Sequence, residues 1–389
     1  MRLASCLSVL ASVCVLDACG DGGGGSCTPS PSPSHFLYAG TYKQDSTGGY
    51  VPSGIYAFGV DSTCGTLSAV SGSPFSPTAG GTVAISSDSK FLYASDEKGN
   101  LAGFSIASDG SLSPVSGSPF ATPEPLGVVR ANPTSDFLYE AGVSTLWVFA
   151  IDSATGAVNL LSSVPLQDLL APTVAPDGRH LYVPLLHGTG GQIAAFSANA
   201  QTGALTAVPG SPFAVPSVYP LGISPVAIDA AGKFLYAGTF DLVKGYGTGV
   251  YGFAIDQVTG ALTPLPGSPF DFSTSVSVGV ETAVGNFLIA GASPQSIPVV
   301  TGPCSTVVLP IDPMSGALPA VPAVPAGPPC GGPDVADSSF RFVYNGFGFE
   351  SQSGGNIIGY SLDPMTGALT QIDTVHLAAS TLGGLALTH

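Results

Sequence analysis

Apolar and polar residues alternate with a period of two over short stretches of this chain, and the stretch recurs seven times. Its opening phrase is Phe36-Leu37-Tyr38, then Phe91-Leu92-Tyr93, Phe137-Leu138-Tyr139, His180-Leu181-Tyr182, Phe234-Leu235-Tyr236, Phe287-Leu288-Ile289 and Phe342-Val343-Tyr344. Each copy runs into a second alternating segment and then a Thr-Gly-Ala-Leu-like turn, whose glycines are Gly65, Gly110, Gly156, Gly203, Gly260, Gly316 and Gly367. Alternation bounded by glycine turns is the hairpin pattern. Strand-rich repeats of 45 to 57 residues are the signature of propeller blades. The expected architecture is therefore all-β: a seven-bladed β-propeller of four-stranded antiparallel blades.

Residues 81–120 show one full unit. Thr82–Ile85 is inner strand A, Phe91–Ser95 strand B, Leu101–Ile106 strand C and Leu112–Val115 outer strand D. Gly117-Ser118-Pro119-Phe120 leads onward. The first repeat lacks a strand A, and the tail Thr381–Leu387 has the composition of one. The C-terminal strand is thus expected to close the ring in blade one, leaving no open edge. A–B and C–D turns are short throughout. Length varies in the B–C connections (42–53, 185–192, 240–248, 292–304 and 347–355) and in some D–A links. Those connections share one face, where a binding site is expected; the opposite face should be plain.

Composition adds constraints. Of 389 residues, 52 are Gly and 35 Pro, recurring at fixed turn positions, and only 9% are charged. Nine Lys and Arg against 25 Asp and Glu give a net charge of −16. No basic stripe can form, which argues against nucleic acid and weakens any phosphorylated ligand.

The N-terminus reads as an export signal. Arg2 precedes the apolar stretch Leu3–Leu16, too short to span a bilayer. Leu16-Asp17-Ala18-Cys19 then resembles a lipobox, with Asp17 departing from the usual small or apolar residue. The expectation is a lipoprotein-type signal over 1–18, a Gly/Ser/Pro tether over 19–35 and the propeller over 36–389, with Cys19 lipidated. Membrane attachment would be by that lipid alone. Gly20 after Cys19 favours the outer membrane, and the location would be outer membrane, periplasm or cell surface. An exported chain retains disulfides. Cys27 and Cys64 fall on the plain face, Cys304 and Cys330 on the decorated one, so Cys27–Cys64 and Cys304–Cys330 are the pairs that avoid crossing the ring.

The chain resembles the seven-bladed lactonase-like propellers, the family of propeller-type 6-phosphogluconolactonase and related cycloisomerases. The resemblance is carried by Leu37-Tyr38-Ala39-Gly40-Thr41-Tyr42, by Gly54-Ile55-Tyr56-Ala57-Phe58 and by the repeated Asp-x-x-Thr-Gly-Ala-Leu, as in Asp256–Leu262, and covers residues 36–387. It implies a lactone hydrolase. The departure is chemical: family members often carry His near the start of inner strands, and here those strands contain none.

Lactone hydrolysis needs a base near an attacking water and a donor at the carbonyl oxygen. The candidates are Arg130 to hold a carboxylate or carbonyl oxygen, with Glu281 or Asp334 as base and His187 on a loop. Asp241, Lys244, Tyr246 and Tyr219 are candidate ligand-binding residues, and Phe349 is a further loop aromatic. The structural alternative is that Arg130 and one carboxylate form an ion pair in the channel. No cofactor or metal is expected. His180 reads as packing. Asp152, Asp256, Asp312 and Asp363 read as turn caps rather than calcium ligands. The expected function is a monomeric, non-catalytic module binding a small molecule, glycan or envelope protein, motivated by the missing inner-strand His; the alternative is a hydrolase of a sugar lactone.

Overall fold

The computed structural model describes residues 27, 28, 30, 33, 35–46, 48–124, 127–187, 190–215, 221–241, 246–270, 276–294, 305–319, 334–347, 355–377 and 381–389. These form strands and turns, arranged in seven antiparallel sheets. The inner strands of blades two to seven are Ala79–Ile85, Val128–Ala131, Thr173–Val174, Leu221–Ile228, Val276–Val284 and Asp334–Ala336. Blade six has three strands among the described residues. Residues 1–26, and with them Arg2 and Cys19, lie outside the described chain, as do Cys304, Cys330, Tyr219, Lys244 and Phe349.

The ring closes as the tail composition predicts. Thr381–Leu387 is the inner strand of blade one and pairs antiparallel with His35–Gln44, from Leu37↔Leu387 to Tyr42↔Thr381. Thr388 locks the join: its hydroxyl accepts from the Phe36 amide at 2.8 Å, and its own amide donates to the Phe36 carbonyl at 3.0 Å.

The repeated phrase holds one blade to the next. Seven apolar clusters fill the seven blade interfaces; the closing one joins Leu37, Phe58 and Leu385 of blade one to Tyr344 and Ile357 of blade seven. The phrase's first residue lies over the C–D turn glycine of the following blade. A Cβ on Gly110 would sit 2.2 Å from Phe36, one on Gly156 2.4 Å from Phe91, and one on Gly65 2.4 Å from Phe342. The phrase's tyrosine then donates to that glycine's carbonyl: Tyr38 to Gly110, Tyr93 to Gly156, Tyr182 to Gly260, Tyr236 to Gly316 and Tyr344 to Gly65, at 2.8–3.0 Å. The last crosses the closure. His180 does the work of Phe: its ring lies over Gly260, it is buried, and burial pushes its imidazole pKa down.

Two other repeated elements are also structural. In Gly-Ser-Pro-Phe, the hydroxyls of Ser73, Ser118, Ser211 and Ser268 accept from strand C amides of Ala57, Gly103, Ala195 and Gly252. In Asp-x-x-Thr-Gly, and in its Ser315-bearing copy at Asp312, one carboxylate oxygen of Asp152, Asp256, Asp312 and Asp363 accepts from two amides of its own turn, which lowers the pKa of each.

Several B–C connections differ from the expected loops. Strands continue into them as hairpins: Thr41↔Gly54 to Gln44↔Tyr50, Leu185↔Gln192 to His187↔Gly190, and Thr239↔Gly249 to Asp241↔Tyr246. Backbone pairing across a hairpin propagates without a side-chain alternation to mark it. Cys27–Cys64 is a disulfide. It ties the segment before blade one to that blade's C–D turn on the plain face, and the Ser30 amide donates to Asp61 beside it.

Candidate functional site

One layer of the central channel can be read from the register. Where strand A meets the phrase's third residue in strand B, the inner residue is Ala386, Ala84, Arg130, Thr173, Ala227, Thr282 or Val335, in blades one to seven. Arg130 is the single charge in this ring of seven. It lines a cavity of about 220 Å³ with Ala171, Thr173, Val174, Ala227 and Thr282. That volume is several times the ~30 Å³ share of one water molecule.

The guanidinium is enclosed by protein yet reached by solvent through the channel. Burial pushes its pKa down. It donates to the neighbouring Val129 carbonyl at 3.1 Å, and no carboxylate among the described side chains forms an ion pair with it. An enclosed guanidinium favours an anionic or strongly polarised guest oxygen beside it. Thr282 adds a hydroxyl, whereas Thr173 already donates to the Val226 carbonyl.

The cavity lies toward the plain end of the channel, since its walls include Pro176 and Ile228, which lead into A–B turns. Glu281 and Asp334 are described by backbone alone. Glu281 is the bulged residue between Val280 and Thr282, and Asp334, paired with Asn345, stands one position above Val335. The register therefore sets both within one residue of the Arg130 layer. His187, Asp241 and Tyr246 fall elsewhere, at hairpin tips. His187 and Asp241 lie five residues beyond the tyrosines of their strands, about 16 Å along a strand. They do not share the Arg130 cavity.

Sequence reasoning missed a second group. Glu140 is 1% exposed, between blades two and three. One carboxylate oxygen accepts from the Gly127 amide at 3.0 Å; the other is buried without a hydrogen-bond partner. Glu124 stands near, accepting from the Trp147 indole at 2.7 Å. Burial, with the Glu124 charge adding to it, pushes the Glu140 pKa up to about 7. The signal was in the phrase: its fourth position is Ala39, Ala94, Val183, Ala237 or Ala290, broken by Glu140 and Asn345.

A raised carboxyl pKa means that the folded state binds the proton more tightly. Its contribution is full below the unfolded value near 4.5 and is lost as pH rises to about 7. Glu140→Gln should remove that slope, with a gain of up to ~3 kcal/mol at pH 8 relative to wild type. Urea unfolding at pH 5 and pH 8 measures it; equal pH dependence in both proteins would contradict the assignment.

The seven antiparallel sheets and the strand that closes them define a seven-bladed β-propeller. Solved structures of that shape include a candidate 6-phosphogluconolactonase of Bacteroides fragilis (19% identity, TM-score 0.65, covering 93% of this chain and 100% of that one). A periplasmic gluconolactonase of Pseudomonas aeruginosa matches at 16% identity and TM-score 0.63, over 91% of this chain and 99% of that one. A Lactobacillus plantarum protein matches at 17% and 0.65, over 91% and 99%. At these identities the likeness shows the fold. No family model matches the chain, and no curated protein matches it.

Proposed function

We propose that this chain is an envelope sugar-lactone hydrolase whose channel arginine, Arg130, holds the carbonyl oxygen of the lactone. Water adds to the carbonyl carbon as Glu281 or Asp334 takes its proton. The ring C–O bond then breaks, the proton passes to the leaving oxygen, and a hydroxy acid is the product. Arg130 offsets the negative charge that develops on the carbonyl oxygen and then holds the product carboxylate. The observation that carries this reading is an enclosed guanidinium, Arg130, in a cavity walled in part by Thr173 and Thr282. The lactonase names of two structural neighbours support it over a purely non-catalytic role. One cation in an acidic chain favours a neutral or carboxylated lactone over a phosphorylated one.

Export rests on the residue 1–18 signal, lipidation of Cys19 and the Cys27–Cys64 disulfide, a bond that persists in oxidising compartments. The binding-only reading keeps one supporting observation: no carboxylate or imidazole is among the described side chains lining the cavity. In that case Arg130 would bind a sugar acid without turnover.

The test is pH-stat hydrolysis of a panel of neutral and carboxylated sugar lactones. Wild type is expected to release acid, and Arg130→Ala to lose about 100-fold or more in kcat/KM. No hydrolysis of any lactone, with calorimetric binding of the matching acid that vanishes in Arg130→Ala, would leave binding alone.

A further inference from the structure

The plain face is not uniform. In the C–D turn Asp-x-x-Thr-Gly, the third position is Val258 in blade five, Met314 in blade six and Met365 in blade seven, 88%, 90% and 87% exposed. Phe340, in the A–B turn of blade seven, is 41% exposed on the same face. The matching position is Ala154 in blade three and Gln201 in blade four, and the shorter turn of blade two, Ser108-Asp109-Gly110, is polar. Apolar tips thus occupy an arc of consecutive blades. Isolated exposed apolar residues are common, but here three recur in one turn position of three adjacent blades, at one end of the propeller.

Blade one comes next in the ring, and its C–D turn is where the disulfide ties Cys27 to Cys64. Only seven residues separate Cys19 from Cys27. At full extension those eight steps span ~29 Å. A lipid on Cys19 would hold the blade five-to-seven arc against the bilayer.

We infer that Val258, Met314 and Met365, with Phe340 behind them, form a membrane-dipping rim that seats the plain face on a lipid surface. This orientation rests on the reading of Cys19 as a lipid anchor; the affinity of the rim for lipid does not. Exposed Lys233 and Arg341 immediately precede strand B in blades five and seven, at the same end; the Lys233 ammonium would meet headgroup oxygens, while the Arg341 guanidinium donates to the Thr63 carbonyl at 3.3 Å and lies over the Phe342 ring. Asp256, Asp312 and Asp363 begin the same three turns, so the rim suits zwitterionic rather than anionic lipid. The other face, with its hairpins, then points away from the membrane.

The test is flotation with phosphatidylcholine vesicles, using the chain carrying Cys19→Ser so that no lipid is attached. That protein is expected to float. The combination Val258→Ser, Met314→Ser and Met365→Ser is expected to cut partitioning about tenfold or more, with thermal unfolding unchanged because the tips are solvent-exposed. Met314→Leu with Met365→Leu should retain binding, and Ala154→Ser should have no effect. Equal flotation of the triple variant and its parent, or no flotation of the parent, would overturn the inference. So would a dimer in light scattering that the triple substitution dissolves, since the rim would then join two copies. Mass spectrometry of the wild type tests Cys19 lipidation separately.

Discussion

Removal of Thr381–His389 should leave a chain that never reaches the native ring. The deleted segment supplies the inner strand of blade one, six backbone-paired positions from Leu37 to Tyr42, and the buried Leu382 and Leu385. It also supplies Thr388, which satisfies both backbone groups of Phe36. Without it the inner edge of His35–Gln44 is unpaired, and the cluster between blades seven and one loses part of its wall. The loss is comparable with the ~5–15 kcal/mol that holds a typical domain together. Circular dichroism and urea unfolding are expected to show no cooperative transition, and the protein is expected to aggregate through the exposed edge. A truncated chain with a wild-type transition would mean that the tail strand is not part of the closure.

Replacing Gly156 with Ala should destabilise by about 2–5 kcal/mol. Two causes add. Gly156 has φ of 74°, in the left-handed region, which costs a side-chain-bearing residue ~1–2 kcal/mol. Its Cβ would stand 2.4 Å from the Phe91 ring, and overpacking of that kind costs ~1–3 kcal/mol. Gly232 separates the two terms. It has φ of 68°, but its Cβ would lie 3.7 Å from its nearest neighbour, Pro176. Gly232→Ala should therefore show the backbone cost alone. Equal losses in the two variants, measured by urea unfolding, would show that the Phe-on-glycine contact does not hold blades two and three together.

The phrase and turn glycines made the ring legible, because strand period and blade length are local properties of the chain. The contacts that close each interface were less so. The Tyr93 hydroxyl finds its carbonyl 63 residues away and that of Tyr236 finds its own 80 away, and nothing near either tyrosine marks its partner. The disulfide of Cys27 and Cys64 followed from deciding which face each turn occupies. The hairpins at His187 and Asp241 were read as loops because the length of these connections varies between repeats, although backbone pairing carries on through them. Glu140 was missed because a carboxylate on a strand normally faces water. Arg130 was found as an inner-strand residue, but its isolation in the channel layer emerged only from the pairing of seven strands.

Diffraction from crystals grown with a six-carbon aldonate tests the central claim most directly. The account predicts the ligand carboxylate against the Arg130 guanidinium, inside the cavity bounded by Thr173 and Thr282. A guanidinium already paired with Glu281 or Asp334, with the aldonate bound elsewhere or not at all, would contradict it.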